Sequence, residues 1–402
     1  MGGNRSHDRQ FVKATCMTQM TLPDAPGLAA VIAALDGNVR LVGGVVRDTL
    51  AGLPTKDIDL ATPIAPDQVM QRLNAAGIKA VPTGLAHGTV TAIAQGQAFE
   101  VTTLRHDLST DGRHAVVAFT DDWRDDAARR DFTINALYAD PKTGEIFDFF
   151  GGLEDLAAHC VRFIGDPTQR IAEDHLRILR FFRFHARFGG ATPDAASLAA
   201  CRTRANDLMA LSRERIAMEL LAILALPDPA PVLDLMIDNG IFAPVLPEIT
   251  QTQVLGQVIA REAEAALSPD PIRRLSALLA ADPALAEDIA NRLKLSNAKR
   301  KRMVLVAGRT QEDGDHPRAL AYQLGLEVAQ DRLLLVKGDL AALRGWTPPR
   351  FPLSGGAIVA RGVQAGPDVA RILQAVERQW VQEGFPDQAR AEAIADQLTQ
   401  IG

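Results

Sequence analysis

Two different spacings of apolar residues divide the chain. Between residues 28 and 150, NVRLVGG, KDIDLAT, GTVTAIAQ, AFEVTTL and EIFDFF hold short apolar and β-branched runs that predict strands. VVRDTLAG and PDQVMQRLNAAG, between them, carry the spacing of amphipathic helices. Two glycine-containing polar breaks, LSTDGRHA and DPKTGE, predict a mobile loop and a hairpin turn. From GGLEDLAA onward, helical spacing takes over, in QRIAEDHLRILRFFRFHARFG, LSRERIAMELLAILAL and PAPVLDLMIDNG. Prolines in PDPAP, SPDP and TPPRFP separate the helical units. The expectation is a compact α+β part followed by an elongated all-α part.

Composition narrows this without changing it. A chain of 402 residues is too long for one ordinary core and implies roughly two to four domains. Its balance is globular: 47% hydrophobic, 23% charged and a formal charge of −6, too acidic for bulk, non-specific nucleic-acid binding but compatible with a local basic track. Cys16, Cys160 and Cys201 are far apart, with neither metal-ligand spacing nor a disulfide framework, as in a reducing compartment. No apolar run reaches the roughly 18 residues that cross a bilayer. The N-terminus MGGNRSHDRQFVKATC has no apolar signal core. A cytoplasmic protein with a disordered leader is expected, its start at Met17 or Met20.

The chemistry begins at LVGGVVRDTLAGLPTKDIDLAT. Gly43 and Gly44 remove side chains where a strand turns into a helix, so backbone N–H groups can approach a phosphate, with Arg47 one turn further on. Asp57 and Asp59 stand at i and i+2, which puts both on one face of a strand while Ile58 and Leu60 face the core. Paired carboxylates suit a hard divalent cation shared with substrate phosphates. Taken singly, the glycines read equally as a tight turn and the aspartates as an exposed edge.

Two later segments add to this. RRDFTINALY, 129 to 138, joins a basic pair and an acid to an apolar run that reads as a helix, with Asp131 or Thr133 as its cap. In EDHLRILRFFRFHARF, 173 to 188, one helix at 100° per residue would bring Arg177, Arg180, Arg183 and Arg187 within an arc of about 120°, with Asp174 near its edge. These arginines are set among Leu, Ile and Phe, so each needs an anion or an ion-pair partner. A carboxylate only accepts hydrogen bonds and a guanidinium only donates. Asp174 can therefore accept from cytosine N4 or adenine N6, and Arg177 can donate to cytosine O2 and N3 or to adenine N1. Uracil O4 and guanine O6 would face Asp174 with a second acceptor, and such unpaired groups discriminate strongly.

Together, GGVVRDTLAGLPTKDIDLAT, RRDFTINAL and EDHLRILRFFRF resemble motifs of the class II tRNA nucleotidyltransferase and bacterial poly(A) polymerase family, in the polymerase β-like superfamily. The resemblance covers about residues 38 to 220. It implies an α+β nucleotidyltransferase head, a mixed β-sheet with helices, followed by an all-α elongated neck, body and tail. The expected bounds are a leader at 1–22, head at 23–150, neck at 151–222, body at 223–265 and tRNA-binding tail at 266–402.

It also implies Mg²⁺ held by Asp57 and Asp59, which would be the catalytic residues. Gly43, Gly44, Arg47, Arg130, Asn135, Asp174, Arg177, Arg180 and Arg183 would bind the nucleotide, with Asp131 orienting arginines. LRHDLSTDGRHA resembles the family's flexible loop, with Arg105, Asp107 and Arg113 as its working residues, and Glu100 is a candidate third carboxylate. LSRERIAMEL reads as structural, with Ser212 as a cap. The basic run at Lys299, Arg300, Lys301 and Arg302 is the candidate grip on the RNA backbone, or a solvated face.

The activity implied is addition of CCA to tRNA lacking its 3′ CCA, from CTP and ATP, without a template. Poly(A) polymerase activity, or partial CC- or A-addition, is the alternative. TGLAHGTVT and the loop segment favour the CCA-adding branch. A missing GxGxxG argues against a dinucleotide-dependent oxidoreductase.

Overall fold

The computed structural model describes residues 19–55, 57–110 and 115–400. They fall into two compact units, divided between Pro247 and Glu248. The first opens on the mixed sheet. Its strands are β1 (Arg40–Val42), β2 (Asp59–Thr62), β3 (Lys79–Gly84), β4 (Thr89–Ala94), β5 (Gln97–Thr103), β8 (Leu137–Ala139) and β9 (Ile146–Asp148). They lie in the order β3-β4-β5-β2-β1-β8-β9. β6 (Arg105–Thr110) and β7 (Ala115–Phe119) form a separate antiparallel ribbon. All the sheet neighbours run antiparallel except β2 and β5, which run parallel and bring Asp59 opposite Glu100.

From Asp57 to Leu60 the alternation follows the sequence, with Ile58 and Leu60 buried, Asp57 exposed and Asp59 half-buried. Burial then continues through Ala61 and Thr62, because β2 lies inside the sheet with both faces covered. The helices Leu28–Ala34 and Pro66–Ala75 cover the sheet through Val31, Leu35, Val69 and Leu73, in a core shared with Leu41, Val90, Phe99 and Val101. Met20 is already part of this core, and its N–H donates to Gly144 O at 2.8 Å. Residues 1–18 of the expected leader, with Met17, lie outside the described residues.

Three local expectations are corrected. The RRDFTINALY segment is no helix: Thr133–Asn135 make one 3₁₀ turn and Leu137–Ala139 form β8. The sheet claims the segment because β1 offers β8 an unpaired edge, and tertiary pairing overrides local spacing. Of the expected mobile loop, Leu108–Thr110 and Ala115 belong to β6 and β7, and residues 111–114 lie outside the described residues.

The third correction matters most for chemistry. The single helix expected across EDHLR is two, Pro167–Glu173 and Arg177–Phe188, with Asp174 extended between them at φ −151° and ψ 106°. Asp174 makes the break itself, as its Oδ1 accepts from Leu176 N at 3.1 Å, an Asx-type turn. The second helix buries Ile178, Leu179, Phe181, Phe182, Phe184, His185 and Phe188. Phe181 and Phe184 meet Phe132, with centroids 6.4 and 5.2 Å away. That packing fixes the arginine-bearing edge against the 129–135 segment.

The second unit is helical. Its interior holds charges as well as apolar side chains, Arg273, Arg274, Glu262 and Asp331 all being buried. Asp331, on the Leu326–Val336 helix, accepts from Arg273 Nε at 2.8 Å and from Arg302 Nε at 2.7 Å, and Arg302 also reaches Asp270 at 3.0 Å. Desolvated charges are tolerated when each has a partner, as here. Arg302 therefore belongs to a structural network, while Lys299 and Lys301 on the Asn297–Ala307 helix are exposed. Arg300 donates to Asn291 and Asn297. Among the described residues no helix is long and apolar enough to cross a membrane.

Candidate active site

β1 ends at Val42 and the chain turns through Gly43, which takes φ 67° and ψ −115°, a region side-chain-bearing residues rarely adopt. Space matters there as well as torsion. A Cβ on Gly43 would lie 3.3 Å from Arg130 Nη1 and 3.4 Å from Asn135 O. The glycine thus lets the arginine pack against the turn. Gly44 begins the next helix, and Arg47 is buried one turn later.

Arg47 is fixed on several sides. Its guanidinium donates to Asn135 Oδ1, pairs with Asp48 at 2.6 Å, and lies over the rings of Phe184 and Phe188 at 5.0 and 4.3 Å. Burial lowers its pKa, which Asp48 opposes. Asn135 in turn donates through Nδ2 to Asp131 Oδ1 at 2.9 Å. Asp131 therefore reaches Arg47 through Asn135, while its other oxygen accepts from Arg180 Nε at 2.8 Å. Burial alone would raise the Asp131 pKa, but Arg180 and Asn135 hold it below the usual range, so it is ionised.

Arg129 and Arg130 depend on a different carboxylate. Asp126, on the Trp123–Ala128 helix, is buried and accepts from Arg129 Nε at 2.8 Å, Arg130 Nη2 at 3.0 Å and Tyr138 OH at 2.6 Å. Burial pushes its pKa up, and Arg130, Arg129 and the Tyr138 hydroxyl outweigh that and bring it down to about 2. The expectation that Asp131 orients the arginines holds for Arg180 and not for this pair. Asp126 was the overlooked residue, although its four-residue spacing from Arg130 is the ordinary signature of a helical ion pair.

Across from these residues stands the broken helix. Arg177 Nη1 donates to Glu173 Oε2 at 2.5 Å and to Arg170 O at 2.8 Å. Both oxygens of Asp174 accept from Arg215 Nη2, at 3.0 and 2.8 Å. No local signal links positions 174 and 215, and Arg215 comes from the LSRERIAMEL segment. That segment is more than scaffold, and Ser212 caps its helix by backbone position only, without a side-chain hydrogen bond.

Gly43, Gly44, Arg47, Asp59, Arg105, Arg129, Arg130, Asp131, Asn135, Asp174, Arg177, Arg180 and Phe184 line one cavity of about 560 Å³. Six arginines against three aspartates make its walls a receptor for a polyanion. The sequence-expected residues of the head and neck that it does not gather are Asp57, Glu100, Arg183 and Asp107. Asp57 is exposed just before β2, and Arg183 turns to Glu219, Nε to Oε2 2.6 Å. For Asp107 the backbone alone is described, and Arg113 lies outside the described residues.

Asp59 carries the negative end. Its pKa is raised, first by burial, then by Glu100, with Arg130 opposing and Asp57 adding to the rise. Three carboxylates therefore share a field that favours a cation. Among the described residues no three acidic, histidine or cysteine side chains converge closely enough to enclose an ion by themselves.

Residues 39–162 match the family model described as the poly A polymerase head domain, and 190–252 match the probable RNA and SrmB- binding site of polymerase A. The mitochondrial CCA tRNA nucleotidyltransferase 1 of Danio rerio is 36% identical over 374 residues, covering 88% of this chain and 86% of its own. The chain belongs to the CCA tRNA nucleotidyltransferase and poly(A) polymerase family. The Mus musculus mitochondrial CCA tRNA nucleotidyltransferase 1 is 34% identical over 369 residues, covering 86% of this chain and 83% of its own. The Bacillus stearothermophilus CCA-adding enzyme, solved in complex with CTP, superposes with a TM-score of 0.69 at 25% identity, over 93% of this chain and 97% of that one.

These relatives of the nucleotidyltransferase family correct one expectation. The cytoplasmic location read from cysteine usage and the missing signal core does not stand, because the Danio rerio and Mus musculus relatives, at 36% and 34% identity, are mitochondrial. Sparse cysteines and the lack of an h-region argue against secretion alone. Organelle transit segments are amphipathic and Arg-rich, so a search for an apolar core passes over them.

Proposed function

We propose that this nucleotidyltransferase family member adds C, C and A to the 3′ end of tRNA, using CTP and ATP and no template. One observation carries the reading. In a chain matched to CCA enzymes along most of its length, the Asp174/Arg177 pair lines the same cavity as Gly43, Arg130 and Asp59. Both matched family models bear the polymerase A name, whereas the relatives matched over most of the chain are CCA tRNA nucleotidyltransferases, which favours CCA addition over poly(A) synthesis.

Each group in the cavity has a task that its chemistry suits. The Gly43 N–H is spent on Leu137 O at 3.0 Å, so the turn there brings the N–H groups from Gly44 onward to the triphosphate, and Arg47 and Arg130 balance its charge. Asn135 keeps the Arg47 fork aimed. Asp174 accepts from the exocyclic amine of cytosine or adenine. Leu176 N and Arg215 Nη2 take up Oδ1, while Oδ2, among the described residues, accepts from Arg215 alone and keeps a lone pair for the base. Arg177 donates to the ring edge of the same base. Arg180, held by Asp131, adds positive charge beside it.

The donor set fits Mg²⁺, which binds through one or two carboxylates and completes its shell with water and substrate phosphates. Asp59 and Asp57 would hold it, with Glu100 beside them on β5. Bound there, the ion supplies activation of the RNA 3′-hydroxyl and neutralisation of the departing pyrophosphate.

Purified protein given labelled CTP or ATP should extend tRNA that ends before CCA, and tRNA that ends in CC, and should stop at CCA. Long A-tails on an unrelated RNA would overturn the proposal in favour of poly(A) synthesis. Lys299 and Lys301 are the proposed backbone grip. The Lys299→Ala, Lys301→Ala double variant should weaken tRNA binding and lower the slope of log K against log salt by about 1 to 2. An unchanged slope would move the grip elsewhere. Arg302→Ala is the contrasting control: it removes one of the two arginines paired with buried Asp331, leaving Arg273, and should reduce thermal stability.

A further inference from the structure

Among the described residues, Phe119 is the one aromatic ring among the exposed large apolar side chains, at 48% exposure. Its place in the fold makes that exposure informative. Phe119 is the last residue of β7 and pairs with Arg105, the first of β6 and a lining residue of the nucleotide cavity. The Arg105 guanidinium donates to His87 O, which ties the ribbon to the turn carrying Gly88. Gly88 sits under the ring at φ 80°, and a Cβ there would lie 2.8 Å from Phe119 Cε1. The glycine thus backs the ring while leaving it open to solvent, and Leu85 from the same turn adds exposed apolar surface.

Building on the proposed function, we propose that Phe119 is a stacking platform for the terminal base of the RNA strand being extended. The incoming base already has its reader in Asp174 and Arg177. The growing end presents a different base at successive additions, so its holder must tolerate all of them. A ring face does this, because every base has a π-face, whereas a hydrogen-bonding pair would not. Arg105 beside the ring supplies the positive charge that a phosphodiester next to that base requires. A lone apolar ring at the rim of an arginine-lined cavity matches a single-stranded nucleic-acid end in both respects.

Phe119→Ala, Phe119→Leu and Phe119→Trp are compared by steady-state addition of CMP to tRNA ending before CCA. Stacking requires KM for the tRNA to rise about tenfold in the Ala and Leu variants and to return near the wild-type value in Trp. KM for CTP should change by less than about twofold. Equal rescue by Leu and Trp, a rise in KM for CTP instead of tRNA, or no change in either would overturn the assignment. If wild-type protein extends no tRNA, the proposed function fails separately. Stacking is then read from quenching of 2-aminopurine at the 3′ end of a short single-stranded RNA, which the Ala and Leu variants should lose and the Trp variant keep.

Discussion

The Asp59→Ala protein should bind tRNA with near-normal affinity and incorporate CMP and AMP at least about a thousandfold more slowly. On the proposed function, the loss follows from removing a carboxylate that would anchor the metal, worth several kcal/mol in the transition state, at tenfold per about 1.4 kcal/mol. The fold should survive. Asp59 has its pKa raised by burial and by Glu100 and Asp57, so its charge is a cost to the folded state at neutral pH. The sign follows by linkage: stability from such a group grows as pH falls through its raised folded pKa, and at pH 7 deletion removes a repulsion. An unchanged or higher melting temperature alongside lost incorporation is the expected pair of results. Incorporation within tenfold of wild type would remove Asp59 from the metal site. Asp57→Ala should behave alike, and the comparison reports whether an exposed carboxylate outside the cavity serves the same ion.

Asp174→Ala should alter choice more than speed. The ratio of kcat/KM for CTP over UTP, and for ATP over GTP, should fall by roughly a hundredfold or more, since rejection rests on an acceptor left facing an acceptor. The structure adds a second expectation. Arg215 loses this carboxylate in the variant, so the guanidinium that faced it can donate to uracil O4 or guanine O6 instead. UTP and GTP should therefore gain in absolute terms, not merely lose less. Single-nucleotide incorporation with each triphosphate measures this directly. A selectivity equal to that of wild type would separate base choice from Asp174.

Most of the head's elements were legible in the chain. Alternation from Asp57 to Leu60 and helical spacing at Pro66–Ala75 are enforced by the core they face, so burial writes itself into the sequence. The 129–138 segment was not legible, because the partner that makes β8 a strand is β1, nearly a hundred residues earlier. The break at Asp174 escaped for another reason. Apolar spacing runs on through it, and one side-chain-to-backbone bond ends the helix without disturbing the pattern.

The site followed the same division. Residues whose type states their chemistry, such as Asp59, Arg130 and Asp174, could be named in advance. Those that only hold others in place, such as Arg215, could not. Arg183 and Arg302 show the converse, cations whose sequence context suggests a ligand and whose partners are Glu219 and Asp331.

The parallel pairing of β2 with β5 carries a consequence for how the catalyst comes into being. Asp59 meets Glu100 only across a loop of about 40 residues, and every other neighbour in the sheet is antiparallel. Closing such a loop is slower than zipping a hairpin, and it requires β3 and β4 to be in place between the two strands in sequence. During synthesis the β1–β2 pair can form before β5 exists, while the pairing of Asp59 with Glu100 waits for residue 100 and beyond. On the proposed function, the carboxylates that would hold the cation are thus completed late in folding, and a nascent chain ending short of β5 would carry Asp57 and Asp59 without Glu100.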